Sequence, residues 1–512
     1  MVRLTTWTLA APLLLAVVLL GGCAVGPDYV APEIDWQQEW EADLYDELGS
    51  GEHQAALALE VWWHLFDDPV LNRLIEMARA ENPSFRVAGL KVLEARAAVG
   101  IARGYRYPQV QQLTWDGTYS GSLPEGGDWS DGFSSGFGFD VGWEIDFWGK
   151  YRRGIEAADA AFFASTANQQ DFQVLLAAQV ADLYFAYRTT VLRADIARKN
   201  AEIQGRSFDI TRELYENGAQ AELDLQQAKT QYMSTLSSIP AFEQTLHQLR
   251  NALCVLVGRP PGDLPELDAE IRELPEIDPV LVEDIPAQLL IRRPDIRAAA
   301  MAVAAQTAQV GISEAAKYPS ISLFGTVGLA DSDLSLGVGP SVTWPIFNYG
   351  RIKNDVRVQD ARLQQALENF QAVALQAARE IDDAAITVIK TREQKDPQHQ
   401  SSQAAERSLE LATTRYREGY AGFQRVIEAQ RAAAGQNDRE ILLAGDHLSA
   451  IITFYKAVGG GWREMTFEEL IPEETRQTME DRTNWGDLLR DPQDQESPTT
   501  ASDNDSETGE QQ

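Results

Sequence analysis

The 512-residue chain carries 77 Asp and Glu against 44 Lys and Arg, a formal net charge of −33. A chain so acidic lacks the basic face that a phosphate backbone requires, so nucleic acid is not an expected partner. Only two cysteines occur, Cys23 and Cys254, and nothing suggests that they pair, so disulfides are not expected to hold the chain together. The length suits two or three ordinary domains or one elongated repeat structure.

Residues 1–22 run from Arg3 through an apolar stretch into Leu20-Gly21-Gly22-Cys23. A short basic start, a short apolar core and small residues at the end predict a secretory signal, too short for a typical transmembrane helix. The tetrapeptide resembles a bacterial lipobox, which implies cleavage before Cys23 and lipidation of that residue; an ordinary signal peptide with an incidental cysteine is the alternative. Ala24 follows in place of the Asp that favours inner-membrane retention, so the outer membrane is the expected address. Residues 23–60 read as an acidic, lipid-anchored extended segment with Pro27 and Pro32 near its start.

A first repeat spans 61–262. Trp62-Trp63 and Phe66-Asp67-Asp68-Pro69 open a helical region over 70–80, Asn82-Pro83-Ser84 marks a boundary, and an Ala-rich helix follows to about Arg103. A β-hairpin over about 106–147 comes next. Leu113, Trp115 and Tyr119 alternate with Thr114, Asp116, Thr118 and Ser120, and 121–132 is a Gly- and Ser-rich link. In the return strand Phe133, Phe137, Phe139, Val141, Trp143, Ile145 and Phe147 hold odd positions, while Ser134, Gly136, Gly138, Asp140, Gly142, Glu144 and Asp146 hold even ones. Such sorting is a strand with one apolar and one polar face, and the apolar face is aromatic enough for a lipid interface. A half-buried strand of a soluble sheet is the competing reading. Over about 150–258 a helical hairpin is expected. Its first helix runs about 100 Å to a turn at Asn217-Gly218, and its second runs from Leu223 towards Val257, interrupted near Ile239-Pro240.

Residues 263–291 form an acidic, proline-containing linker, and a second repeat then spans 292–465. Its β-hairpin covers about 318–347 and its helical hairpin about 350–458. Arg293 to Arg297 answers Asn82 to Arg86, and Lys317-Tyr318-Pro319 answers Arg106-Tyr107-Pro108, at an offset of 211. Past the hairpin the offset is 201: Trp344 answers Trp143, Gly350 answers Gly149, Gly419 answers Gly218 and Gly459 answers Gly258. Leu334, Leu336, Val338, Val342, Trp344 and Ile346 alternate with small polar residues as in the first copy. A constant offset over long helices with little identity means that both copies need one helix length. Residues 466–512 read as an acidic disordered tail.

Four strands cannot close a barrel wide enough to hold polar residues inside, and an open edge in hydrocarbon leaves backbone groups unpaired. The expected fold is therefore mainly α with β-hairpins, in two tandem repeats, each a transmembrane β-hairpin plus a long α-helical hairpin. Three chains would form a 12-stranded β-barrel continued by a periplasmic α-barrel. Asp140, Glu144 and Asp146 would line the lumen with Ser134, and Phe137, Phe139, Trp143, Leu336, Val338 and Trp344 would face lipid.

The chain resembles the outer membrane factor family, TolC-like, in its lipoprotein branch that serves RND-type efflux pumps. The resemblance rests on Gly22-Cys23-Ala24-Val25-Gly26-Pro27-Asp28-Tyr29, Trp62-Trp63 with Phe66-Asp67-Asp68-Pro69, residues 290–297, the two Gly-containing turns, and Val458-Gly459-Gly460-Gly461-Trp462. It implies a homotrimer and passive export of drugs, toxic compounds or metals. The implied partners are a periplasmic membrane fusion (adaptor) protein, an inner-membrane RND-type pump and outer membrane lipid. It places the tips that meet the adaptor at Tyr215, Gly218 and Ala221 and at Tyr416, Gly419 and Gly422. Glu428 stands where the family narrows the pore with an acid, Arg425 stands where another acid often sits, and Asp224 is a further candidate. Arg425 and Glu428 make either a mixed-charge constriction or a solvated surface pair.

Nothing points to catalysis, a cofactor or a resident metal: His53, His64, His247, His399 and His447 are scattered without ligand spacing, and no HExxH, GxSxG or Walker loop occurs. Trp62 and Trp63 are expected to pack in a core. The alternatives to an efflux channel are a TolC-like protein secretion duct and a non-channel periplasmic coiled-coil lipoprotein.

Overall fold

The computed structural model describes residues 24–32, 59–123, 125–268, 271, 273–277, 292–330 and 333–490. The expected signal peptide and lipidation site Cys23, most of the N-terminal segment, part of the linker and residues 491–512 lie outside the described residues. A 3₁₀ turn, Trp62–Phe66, precedes α1 (Pro69–Glu81) and α2 (Pro83–Gly104). Asp68 caps α1 by accepting from the backbone N–H of Val70 and Leu71 at 2.9 and 3.2 Å, and Asn82 caps α2 through Phe85 N at 2.9 Å. Each helix has proline at its first position, where no N–H is needed.

The remaining elements are β1 (Val110–Ser122), β2 (Ser130–Ile145), α3 (Lys150–Glu216), α4 (Glu222–Leu256), α5 (Pro294–Ala315), β3 (Ser320–Ala330), β4 (Asp333–Thr343), α6 (Arg351–Arg417) and α7 (Phe423–Ala457). The repeat is carried in the lengths. α3 and α6 each have 67 residues, and α4 and α7 each have 35. α2 and α5 each have 22. The hairpins differ, with strands of 13 and 16 residues in the first copy and 11 and 11 in the second.

The four helix ends of the two hairpins close alike. Ala219, Arg259, Tyr420 and Gly460 each donate a backbone N–H to the carbonyl five residues earlier, at 2.8 Å, over a preceding glycine of positive φ: Gly218, Gly258, Gly419 and Gly459. This 6→1 bond is the glycine-dependent stop of an α-helix. The expected interruption near Pro240 does not occur, because α4 runs through it, as α6 runs through Pro397. Both prolines are exposed, so water can satisfy the carbonyl that each leaves free.

The core lies where α1, α2 and the segments 59–66 and 467–489 wrap α3, α6 and α7. Trp62 is fully buried and stacks on Tyr455 at 5.5 Å, and Trp63 is buried beneath the guanidinium of Arg79. Gly459-Gly460-Gly461 lets this happen, since a Cβ on Gly460 would stand 3.0 Å from Leu59 O and 3.2 Å from Trp62 Cδ1. The two copies are pinned to their return helices at equivalent positions. Asn82 Nδ2 donates to Leu256 O at 2.9 Å in the first, and Arg293 Nη1 donates to Ala457 O at 2.5 Å in the second. Arg293 also holds Asp295 and Glu380 at 2.8 Å.

Beside this cluster, burial, with the charges of Asp295 and Glu380, pushes Asp171 up to about 6. A carboxyl whose folded pKa exceeds its unfolded value weakens the fold as pH rises from about 4 to about 6. Asp171→Asn is therefore expected to raise the melting temperature at pH 8 and leave it unchanged at pH 4. Equal shifts at both pH values, read by circular dichroism, would refute the assignment.

The tail departs from expectation. Residues 467–490 are not disordered: α8 (Phe467–Leu470), α9 (Glu473–Arg482) and a 3₁₀ turn, Gly486–Leu489, lay Phe467, Leu470, Ile471, Met479 and Leu489 against the core. Arg96 on α2 donates to the carbonyls of Leu488 and Arg490 at 2.9 and 2.7 Å and lies over the ring of Phe467. Net acidity hid five apolar residues, each worth about 1.5–3 kcal/mol when buried. A chain ending at Met465 should melt several degrees below one ending at Arg490; equal melting curves would show the packing to be idle.

Candidate channel wall, tips and constriction

The strands form one antiparallel sheet in the order β1-β2-β3-β4. Its register aligns the apolar positions across both hairpins, odd-numbered in β1 to β3 and even-numbered in β4, so that Leu113, Phe139, Val327 and Leu336 make one row and Trp115, Phe137, Leu329 and Leu334 another. The opposite face carries rows such as Gln112, Asp140, Thr326 and Gly337. The chain's own helices do not cover the apolar face: Phe137 is 54% exposed, Phe139 46%, Trp143 36%, Leu336 73%, Val338 89% and Trp344 59%. Trp344 lies just beyond the end of β4. An apolar sheet face bare over this extent is unstable in water. Among the described residues no helix is long and apolar enough to cross a membrane.

At the foot of the sheet the polar residues have local work. Asp140 stays on the open polar face, but Glu144 accepts from Lys150 at 3.1 Å and from the Tyr151 hydroxyl at 2.9 Å. Asp146 accepts from the backbone N–H of Tyr151 and Arg152 at 3.0 and 2.8 Å, capping α3 in place of Gly149, which has no side chain to do so. The N-terminal segment seats in the same junction. Val25 N donates to Trp148 O at 3.0 Å, and the buried guanidinium of Arg153 holds Asp28 at 2.6 Å and Glu156 at 2.7 Å. Sequence pattern could not find Arg153, because its partner lies 125 residues away.

About 100 Å along the helices, the two turns form the far end. A Cβ on Gly218, Gly419 or Gly422 would meet nothing within 4 Å, so Gly218 and Gly419 serve positive φ, of 70° and 80°, in open space. Ala221 and Gly422 are the N-caps of α4 and α7. Tyr215 is exposed, whereas Tyr416 is half-buried against Phe423 at 5.3 Å and accepts from Gln220 Nε2 at 3.0 Å, which joins one tip to the other. Tyr420, 80% exposed, was not singled out from sequence, although it sits between two glycines of the turn.

Behind the tips, a small cluster of Ala228, Phe423, Val426 and Ile427 packs with Phe208 and Tyr416. Polar bridges tie the hairpins further up: Gln430 to Ser207 at 3.1 Å, Arg431 to Gln231 at 2.6 Å and Arg193 to Asp438 at 2.7 Å. Arg425 and Glu428 are both exposed on α7, but no ion pair joins them; Glu428 accepts instead from Gln424 at 3.0 Å. Asp224 lies half-exposed in the first turn of α4.

The sequence matches the family described as Outer membrane efflux protein over residues 74–259 and 285–460. It is 30% identical over 472 residues to the antibiotic efflux pump outer membrane protein ArpC of Pseudomonas putida, covering 88% of this chain and 94% of that protein. It is 29% identical over 460 residues to the cation efflux system protein CusC of Escherichia coli, covering 87% and 97%. The solved structure of the outer-membrane channel OprN superposes with a TM-score of 0.78 at 31% identity, covering 86% of this chain and all of that one. The chain, with its tandem hairpins and bare apolar sheet, belongs to the outer membrane efflux protein family.

Proposed function

We propose that this chain is the outer membrane channel subunit of an efflux system and that it passes small molecules outward without catalysing a step itself. The observation that carries the reading is the continuous, exposed apolar face shared by both hairpins at one end of two 67-residue helices. A lipid-anchored coiled coil with a soluble sheet would cover that face with its own helices. Since β1 and β4 are both edges, the sheet closes by pairing with other copies, and a homotrimer with twelve strands is the smallest ring with a wet lumen. The relatives are named for cation and antibiotic efflux, which favours small molecules over secreted proteins as cargo.

In this reading Asp140 faces the lumen, and Phe137, Phe139, Trp143, Leu336, Val338 and Trp344 face lipid. Cys23 carries the acyl chains, next to a segment fixed at the sheet's foot. Tyr215, Gly218, Ala221, Gly419 and Gly422 meet a periplasmic adaptor, which links the channel to an inner-membrane pump. Glu428 and Arg425 narrow the pore, with Asp224 nearby. Purified protein in planar bilayers is expected to give discrete conductance steps. Glu428→Gln should lower its preference for cations over anions, because three carboxylates are lost from one ring. Absence of any pore in both proteins would refute the channel.

A further inference from the structure

The first hairpin outreaches the second. Residues 117–122 of β1 pair with 130–135 of β2, but β3 and β4 stop at Ala330 and Asp333, level with Gly136. Strands of 11 residues, as β3 and β4 have, already cross the hydrocarbon when tilted. The two-stranded end of the first hairpin therefore stands about 20 Å further along the strand direction, at the end of the sheet away from the helices. Its free edges fit that place, since unpaired backbone groups are tolerated in water and not in hydrocarbon.

This end is built differently from the rows below it. The indole of Trp129 lies across Gly121, where a Cβ would overlap it, and the ring of Phe133 lies across Gly117, where a Cβ would stand 2.9 Å from Cζ. Both rings nevertheless remain exposed, at 63% and 62%. Tyr119 stands opposite Phe133, and its hydroxyl donates to Asp131. A carboxylate thus shares the face with three aromatic rings, an arrangement that acyl chains would desolvate at high cost. Sugars suit it better. The electron-rich face of an aromatic ring attracts the C–H groups of a pyranose, and Asp131 can accept from its hydroxyls. The exposed carboxylates of Asp128 and Asp131 repel phosphate, which selects neutral hexoses.

We infer that the outer end of the first hairpin binds the neutral hexoses of the lipopolysaccharide core, the saccharide layer that stands above the acyl chains around an outer membrane barrel. Trp129 and Phe133 stack on the sugar rings, and Asp131, oriented by Tyr119, accepts from their hydroxyls. The face continues the parity of Phe137, Phe139 and Trp143, so its partner is whatever stands directly above the lipid that covers those residues. The inference rests on the lipid-facing reading of the sheet proposed above.

The test uses the full-length lipoprotein in phospholipid nanodiscs and, as probe, core oligosaccharide released from lipopolysaccharide by mild acid, with dextran as the comparison sugar. Saturation-transfer NMR should show the oligosaccharide bound more tightly than dextran. Trp129→Ala should weaken that binding about tenfold. Gly121→Val, which keeps the indole but displaces it, should weaken it as well, and both variants should keep wild-type helicity. Wild-type affinity in both variants, or equal affinity for dextran, would overturn the assignment and leave the lipid-facing sheet standing. Protein that stays monodisperse in water and is excluded from nanodiscs would overturn both.

Discussion

Asp68→Ala is expected to be the most destabilising single exchange in the core. One carboxylate there has three roles: it caps α1, and on α3 it accepts from the Tyr184 hydroxyl at 2.9 Å and pairs with Arg188. Arg188 is only 14% exposed and also donates to Glu273 O at 2.6 Å, so it draws the segment after α4 onto the helices. Without Asp68 the guanidinium loses its only counter-charge among the described residues and stays desolvated. Removing one partner of such a buried pair costs about 3–5 kcal/mol, and the lost cap adds about 1 kcal/mol. Asp68→Asn keeps the cap and an acceptor for Tyr184 and should cost less. Thermal loss of helicity in detergent would rank them, with wild type above the Asn variant and the Asn variant above the Ala variant. An Asp68→Ala chain as stable as wild type would show that water replaces the carboxylate.

Much of this architecture could be read from the residues because period and punctuation are local. Parity sorted the faces of β2, and glycines at the ends of long helical patterns marked the turns. The offset of 201 anticipated equal helices, since α3 and α6 end at the same phase of the same 6→1 closure. What escaped was whatever depends on contact across the fold. Asp68 and Arg188 are 120 residues apart, and Arg153 and Asp28 are 125 apart. Proline was read as a break, although on the exposed side of a long, laterally packed helix it removes one hydrogen bond that water can replace. The acidic tail misled for a related reason: charge was averaged over residues of which five were spaced to dock. At the proposed constriction, Arg425 and Glu428 satisfy i,i+3 spacing, but Gln424 is the group that reaches the carboxylate.

Loosening the tips should have the largest effect on transport. In this structure the two helical hairpins are latched near their ends by the Gln220 bond to Tyr416 at 3.0 Å and the Arg431 bond to Gln231 at 2.6 Å. The first joins a tyrosine hydroxyl to an amide; the second carries a guanidinium charge on an exposed surface. A bond of this kind contributes about 1 kcal/mol, or roughly a fivefold bias in a two-state equilibrium. Tyr416→Phe keeps the ring against Phe423 and deletes only the acceptor, and Arg431→Ala deletes the second latch. Each should raise the open fraction of single channels in planar bilayers by up to about fivefold, and the double variant should exceed either alone, because the bonds secure the same pair of hairpins. Conductance unchanged in the double variant would mean that the apolar cluster around Phe423, Val426 and Ile427 holds the tips without them. In that case Ile427→Ala, which opens a cavity in that cluster, becomes the exchange that must release the pore.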